Sequence, residues 1–344
     1  MAYTTIDDPS EYFQIALYTG NGTAIGSGGL TITNDGNSDL KPDWIWHKKR
    51  GSAESHAVAD SNRGTHKGIF PNETNAESSG GSQYVNSFNT DGFTVGNVGW
   101  ANDSGQTYVA WQWKCNGGTT SSNTDGSITS TVQANTTAGF SIVTYTGTGS
   151  SSTAGHGLNS TPEVIISKAR NATQDWAVHT TIIDGSMDFL LLNNSNAKSD
   201  SSFSSPTSTV FPTRTTNNYV AYIFHSVEGY SKFGKYTGNG NADGTFVYTG
   251  FRPALVICKK TSAAENWNMT DSKRSTFNVC QAGLSPSTNA AEDTTNGVRI
   301  DLLSNGFKAR DTAGQYNDSG ASYIYMAFAE NPFVSSKGVP TTAR

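Results

Sequence analysis

The chain has 344 residues, 28 acidic against 23 basic, for a formal net charge of −5, and this balance excludes the electrostatic footprint of a nucleic-acid binder. Charged residues make up only 15% against an ordinary value of about 25%, so the surface is built from hydroxyls, amides and 36 glycines. With 11% aromatics the chain is not disordered, and its length allows two or three domains.

The opening MAYTTIDDPSEYF has neither the basic start nor the apolar stretch of a signal peptide, and no apolar run reaches membrane-spanning length. The expectation is synthesis in a cytoplasm and a soluble product. The first ten residues read as an arm. From Glu11 onward one set of landmarks recurs. YTGNG stands at Tyr18 to Gly22 and again at Tyr236 to Gly240, with the near copy YTGTG at Tyr145 to Gly149. Each is followed by a Pro-led apolar run ending in Lys: Pro42 to Lys48, Pro162 to Lys168, and Pro253 to Lys259. Then come Asn75-Ala76, Asn196-Ala197 and Asn289-Ala290, and an aromatic strand beginning at Tyr108, Tyr219 or Tyr323. A period of about 90 to 125 residues signals domain duplication rather than a solenoid.

The predicted boundaries are 11–115, 136–229 and 230–332, with a Gly/Ser/Thr-rich linker over 116–135 and a C-terminal tail over 333–344. Alternation in the closing strands puts Val109, Trp111 and Trp113 on one face, matched by Val220, Tyr222, Phe224 and by Ile324, Met326, Phe328. The opposite faces are also apolar, as in a strand buried on both sides. Asn102 to Gly105 and Asn317 to Gly320 are the same NDSG turn, and Asp91-Gly92-Phe93 and Asn305-Gly306-Phe307 are hairpin signals. The best helix candidate is one turn at Thr74 to Ser78. The predicted class is therefore all-β, with three tandem antiparallel β-sandwich domains of jelly-roll, lectin-like type.

Chemistry-bearing motifs are sparse. The YTGNG copies lack the strand, loop and helix context of a phosphate loop and read as β-turns. Asp35, Asn37, Asp39 and Asn239, Asn241, Asp243 alternate like calcium-loop oxygens, yet position twelve of the second run is Gly250 where Glu is needed, so no metal ligand is assigned. Asp60 with Arg63, and Asp271 with Arg274, occupy the same place in two repeats and read as turn locks. Lys48, Lys49, Arg50, Lys259 and Lys260 read as solvated strand-end charges. Cys115, Cys258 and Cys280 have no ligand or disulfide spacing, and the six His have neither metal-ligand spacing nor a nucleophile context. No catalytic, cofactor-binding or metal residue is assigned. Trp100, in NVGWANDSG, lies between Gly-bearing turns where no core periodicity asks for it. It is the one candidate ligand-binding residue, an indole face for a sugar ring beside Asn and Asp; packing over its own loop is the structural alternative.

The series WIWHKKR, DSNRG, NETNAE, SFNTDGFTVG and NDSGQTYVAWQWK resembles a repeated domain of virion-associated, tail-fibre-like structural proteins of marine bacteriophages. The stretch GYSKFGKYTGNGNADGTFVYTGFRPALVICKK, ending YIYMAFAENPF, is similar to their last repeat, so the resemblance covers nearly the whole chain. It implies a virion component displayed outward, with lectin-like sandwich domains, no transferable catalytic residues and homo-oligomerisation; the expectation is a non-enzymatic protein whose partners are other virion proteins and a host-surface glycan, and the charge and hydropathy above add no nucleic acid and no membrane insertion. The middle repeat departs from the pattern, lacking the Asp-x-x-Arg-Gly and Asp-Gly-Phe elements. A capsid decoration without receptor role, and a polysaccharide depolymerase with paired carboxylates between repeats, are the competing readings.

Overall fold

A computed structural model describes residues 3–79, 81–295 and 300–340. It is nearly all β, with antiparallel sheets throughout. The first and third repeats build the same pair of sheets. In the first, Phe13–Thr19, Thr107–Trp113, Trp44–Lys49 and Ala57–Asp60 lie side by side in that order. In the third, Ser231–Thr237, Ser322–Pro332, Phe251–Lys260 and Asn268–Asp271 repeat the arrangement. A smaller three-stranded sheet covers each: Leu30–Ile32, Gly92–Val95 and Val85–Asn89, or Phe246–Tyr248, Gly306–Ala309 and Ile300–Leu303.

The repeated tyrosines explain the repeated motif. Tyr18 lies opposite Tyr108 in register, Tyr145 opposite Tyr219, and Tyr236 opposite Tyr323. Their rings stack at 5.3, 5.2 and 5.0 Å, a cross-strand aromatic pair that pins the register of each opening and closing strand. The glycine two residues on is required by close approach. A Cβ on Gly20 would stand 2.2 Å from the Asp103 carbonyl oxygen, and one on Gly238 2.3 Å from that of Asp318. YTGNG and NDSG are thus two halves of one structure, completed by the Asn102 and Asn317 side chains, which accept from the Asn21 and Asn239 N–H groups at 2.8 and 2.9 Å.

The middle repeat differs. Its main sheet has eight strands, and the segment expected as a linker supplies two of them, Ser121–Asn123 and Ser130–Asn135, at one edge. An edge strand half open to water needs few apolar residues, so its Ser- and Thr-rich composition imitates a linker. The expected helical turn at Thr74 to Ser78 is absent. The one α-helix among the described residues is the single turn Gly99–Asn102.

The apolar faces do not enclose three separate interiors. Ala110, Tyr219 with Ala221, and Tyr325 with Ala327 face three local cores under the smaller sheets. The opposite face of every closing strand enters one shared core containing Val109, Trp111, Trp113, Val220, Tyr222, Phe224, Ile324, Met326 and Phe328. Its centre is aromatic: Phe328 lies 5.4 Å from Trp113 and 5.8 Å from Phe224, and Trp44 lies 4.5 Å from Tyr222.

The Asn-Ala landmarks close this arrangement into a ring. Each segment lies along the Lys-ending strand of the next repeat, with the Glu77, Lys198 and Glu292 N–H groups donating to the Arg170, Thr261 and Arg50 carbonyls at 2.8, 3.0 and 2.9 Å. Return bonds run from Gln174 to Thr74, from Glu265 to Ser195, and from Glu54 to Asn289. Repeat one therefore holds two, two holds three, and three holds one. The N-terminal arm is held by the rest of this same chain. Ile6 enters the shared core, the Thr4 hydroxyl donates to the Glu228 carbonyl at 2.8 Å, and Asp7 accepts from the Ser336 N–H of the tail at 2.6 Å.

Candidate functional site

Asp60 with Arg63 and Asp271 with Arg274 are local turn locks, each aspartate accepting from the main-chain N–H of its arginine at 2.8 Å, and both pairs also lie between repeats. Asp60 accepts from Arg63 Nε at 2.5 Å and also from the Tyr222 hydroxyl of the second repeat at 2.6 Å. Asp271 accepts from Arg274 Nε at 2.5 Å and from Trp111 Nε1 of the first repeat at 3.0 Å. Beyond each pair a glutamate links two arginines across the joint: Glu77 joins Arg63 to Arg170, and Glu292 joins Arg274 to Arg50. Burial opposes the charge on Glu77, but Arg170 and Arg63 overcome it and hold the carboxyl down at about 2.

At the joint between repeats two and three every one of these positions has changed together. Thr180, Ile183, Lys198, Thr261 and Met326 stand where Asp60, Arg63, Glu77, Arg170 and Tyr222 stand at the first joint. The displaced Lys198 instead lies among Asp184, Asp188 and Asp200 at 2.9, 2.7 and 2.8 Å. That acidic group is compensated by its lysine.

The strand-end lysines are not solvated, because the strand they end is covered by the preceding repeat's Asn-Ala segment. Lys48, Lys168 and Lys259 are fully buried. Their ammonium groups donate to main-chain carbonyls across the joints: to Asn289 at 3.4 Å, Thr74 at 2.8 Å and Ser195 at 3.2 Å. Burial pushes all three down to about 8. His47 is buried beside the Tyr18 hydroxyl and pushed down to about 3, and His156 contacts the Thr207 carbonyl, both structural placements. Asn239 and Asn241 turn their side-chain oxygens onto the Asn241 and Asp243 N–H groups, as Asx turns do.

Trp100 is only 6% exposed. Its one-turn helix sets the indole among Phe70, Tyr84 and His47, at 6.4, 5.0 and 5.4 Å. The flat face that sugar stacking needs is therefore covered, because the turns around it fold the loop onto the first local core. Exposed aromatics stand elsewhere. Phe246 and Tyr248, 44% and 50% exposed, flank the buried Val247 on an outer edge strand and so share one face. By register, Val247 lies opposite Phe307 as Ile32 lies opposite Phe93, so the first repeat carries Thr31 and Thr33 at these two places. Tyr3 of the N-terminal arm brings its hydroxyl to 3.2 Å from that of Tyr248.

A hollow of about 370 Å³ lies where the first and third repeats and the N-terminal arm meet. Phe13, Ile15, Ala254 and Ala329 give it apolar lining, and Arg252 and Glu330 are among its polar groups. Lys273 of the third repeat and Asp35 of the first, joined at 2.8 Å, lie on its lining. Nothing drew attention to Arg252 and Glu330 in the sequence. The available signal was the residue after the repeated proline, which is Asp43, Glu163, then Ala254.

The chain belongs to a family described as a domain of unknown function (DUF7483), whose model matches residues 8–332 as one unit. No curated protein and no solved structure matches it.

Proposed function

We propose that this chain is a bacteriophage virion structural protein, a tail fibre or other receptor-binding appendage that contacts a host-surface glycan and is assembled in the host cytoplasm. On this reading its repeats are small jelly-roll, lectin-like sandwiches, and further copies of the chain and other virion proteins are its partners. The observation that carries the glycan contact is the aromatic pair Phe246 and Tyr248, open to solvent on one face of an edge strand where the corresponding residues of the first repeat are threonines. Two rings spaced along a strand offer stacking faces to successive sugar rings, and the charge-poor surface around them supplies hydroxyls and amides. The ring closure supports the structural part. Most of the buried charge is spent on joints between repeats, which suits a particle that must persist outside a cell.

The test is binding of labelled full-length protein to host cells and to non-host relatives, with sugar release measured in the same tubes. Saturable binding confined to host cells, lost in a Phe246→Ala/Tyr248→Ala variant that unfolds like the parent, is the expected result. Release of reducing sugar would replace this reading with the depolymerase. Absence of binding would replace it with a capsid decoration.

A further inference from the structure

We propose that the hollow between the first and third repeats is a second binding site, one that takes a single neutral hexose ring. In the first repeat the carboxylate of Asp43 fills the corresponding place, accepting from the Cys115, Gly117 and Gly118 N–H groups at 2.7, 2.8 and 2.7 Å and from the Ser61 hydroxyl at 2.6 Å. In the second repeat Glu163 accepts from the Ser226 N–H. The third repeat has Ala254 there, with its carbonyl still accepting from the Ser272 N–H just as Asp43 accepts from Ser61. The closing strand then continues to Pro332, its pairing with Phe251–Lys260 shifted in register on either side of Pro253. The missing carboxylate leaves the space open.

What lines that space is an ion pair. Arg252 Nε lies 3.3 Å from Glu330 Oε2, and the two side chains keep 16% and 35% of their surface open. The rest of the guanidinium and of the carboxylate therefore present a donor and an acceptor side by side, which suits a group that accepts from one and donates to the other. A pair of neighbouring hydroxyls on a sugar ring does both. The apolar atoms of Phe13, Ile15 and Ala329 lie against the same hollow, where the C–H face of the ring packs. Three carboxylates, Asp8, Asp35 and Glu330, against two cations, Arg252 and Lys273, leave the lining at −1, which disfavours phosphate, sulfate and uronic acids. The volume is at the small end of ligand clefts, about 300–1,000 Å³, and is too small for an extended chain.

The experiment titrates the purified full-length protein with the methyl pyranosides of glucose, galactose and mannose, and with glucuronate and sulfate, by calorimetry and saturation-transfer NMR. At least one neutral pyranoside binds saturably and the anions do not. Ala254→Asp, which restores the carboxylate of the first repeat, lowers its affinity at least tenfold, and so does Glu330→Gln, while thermal unfolding of both variants stays within a few degrees of the parent. No binding of any neutral pyranoside, or binding that both variants retain, overturns the site. The outcome is separable from the virion reading. Host-cell binding without pyranoside binding removes this site and keeps the receptor role. Pyranoside binding without host-cell binding does the reverse.

Discussion

Replacing Asp60 by Thr copies into the first joint the residue that the chain itself uses at the second. Alone, the change removes a carboxylate that accepts from Arg63 Nε at 2.5 Å, from the Arg63 N–H at 2.8 Å and from the Tyr222 hydroxyl at 2.6 Å. The Arg63 side chain is fully buried and would keep only Glu77 as a charged partner. Removing one partner of a buried ion pair costs about 3–5 kcal/mol, because the other charge stays buried. Adding Arg63→Ile and Tyr222→Met copies three of the five positions of the second joint and removes both stranded groups, while Glu77 keeps Arg170 and Lys67 as partners. The triple variant is expected to recover most of the loss, ending within about 2 kcal/mol of the parent, since apolar replacement of a buried pair is often near neutral. Urea unfolding of the single, double and triple variants gives the coupling directly. A single change costing less than about 1 kcal/mol, or a triple variant as unstable as the single, refutes the reading of these residues as one cooperative unit.

Three other outcomes are expected. Lys48, Lys168 and Lys259 lose protons near pH 8 when folded, against about 10.4 when unfolded, so between these values the unfolded chain binds more protons at these lysines. Each lysine therefore contributes stability that rises with pH from 8 towards 10, by some fraction of about 1.4 kcal/mol per pH unit, since solvent screens part of the effect. Buried Cys115, Cys258 and tyrosines such as Tyr222 and Tyr230 are pushed up and act in the opposite sense, so the check is the stability difference between the parent and a Lys168→Met variant; a difference that does not move in the parent's favour between pH 7.5 and 9.5 contradicts this. Gly238→Ala forces a Cβ to within 2.3 Å of the Asp318 carbonyl oxygen and should lower stability by more than about 1 kcal/mol, measurable as a fall in the unfolding midpoint. Trp100→Ala should cost about 3–5 kcal/mol by thermal unfolding while leaving host-cell binding at permissive temperature unchanged; loss of binding with stability intact would return the indole to a ligand role.

Local pairings were legible in the sequence because each is written in neighbouring residues. The Asp-Gly-Phe and Asn-Gly-Phe hairpins, the alternating closing strands and the tight turn after Tyr18 and Tyr236 all follow from period and turn chemistry. Partners distant along the chain were not legible. Lys48 looks like an exposed strand end until Asn289, 241 residues away, is known to lie over it. Trp100 looks exposed because its core neighbours Phe70 and Tyr84 arrive from another part of the repeat. The hollow at Ala254 was written only as a difference between copies, since a single alanine after proline carries no signal of its own.

The shared core and the bonds between repeats imply that a repeat is not a unit of folding on its own, and a fragment tests it. Consider residues 11–115 alone. Trp44, Trp46, Trp111 and Trp113 are each at most 2% exposed, and the groups covering them come largely from elsewhere. Tyr222, Phe140 and Phe224 lie over Trp44, at 4.5, 5.7 and 5.8 Å, Phe328 lies against Trp113, and Asp271 receives the Trp111 N–H. At about 150–250 Å² for a buried aromatic side chain, losing even half of that cover bares several hundred Å² in one patch, as much as the largest patch of a typical monomer, about 300–600 Å². At about 25 cal/mol per Å² this forfeits on the order of 10 kcal/mol, comparable with the whole stability of a domain. The fragment should bind a hydrophobic dye, associate on gel filtration and lack a cooperative unfolding transition, whereas the full chain unfolds in one step. A monomeric fragment that unfolds cooperatively would show that each sandwich stands alone and that the ring is only an assembly of finished parts.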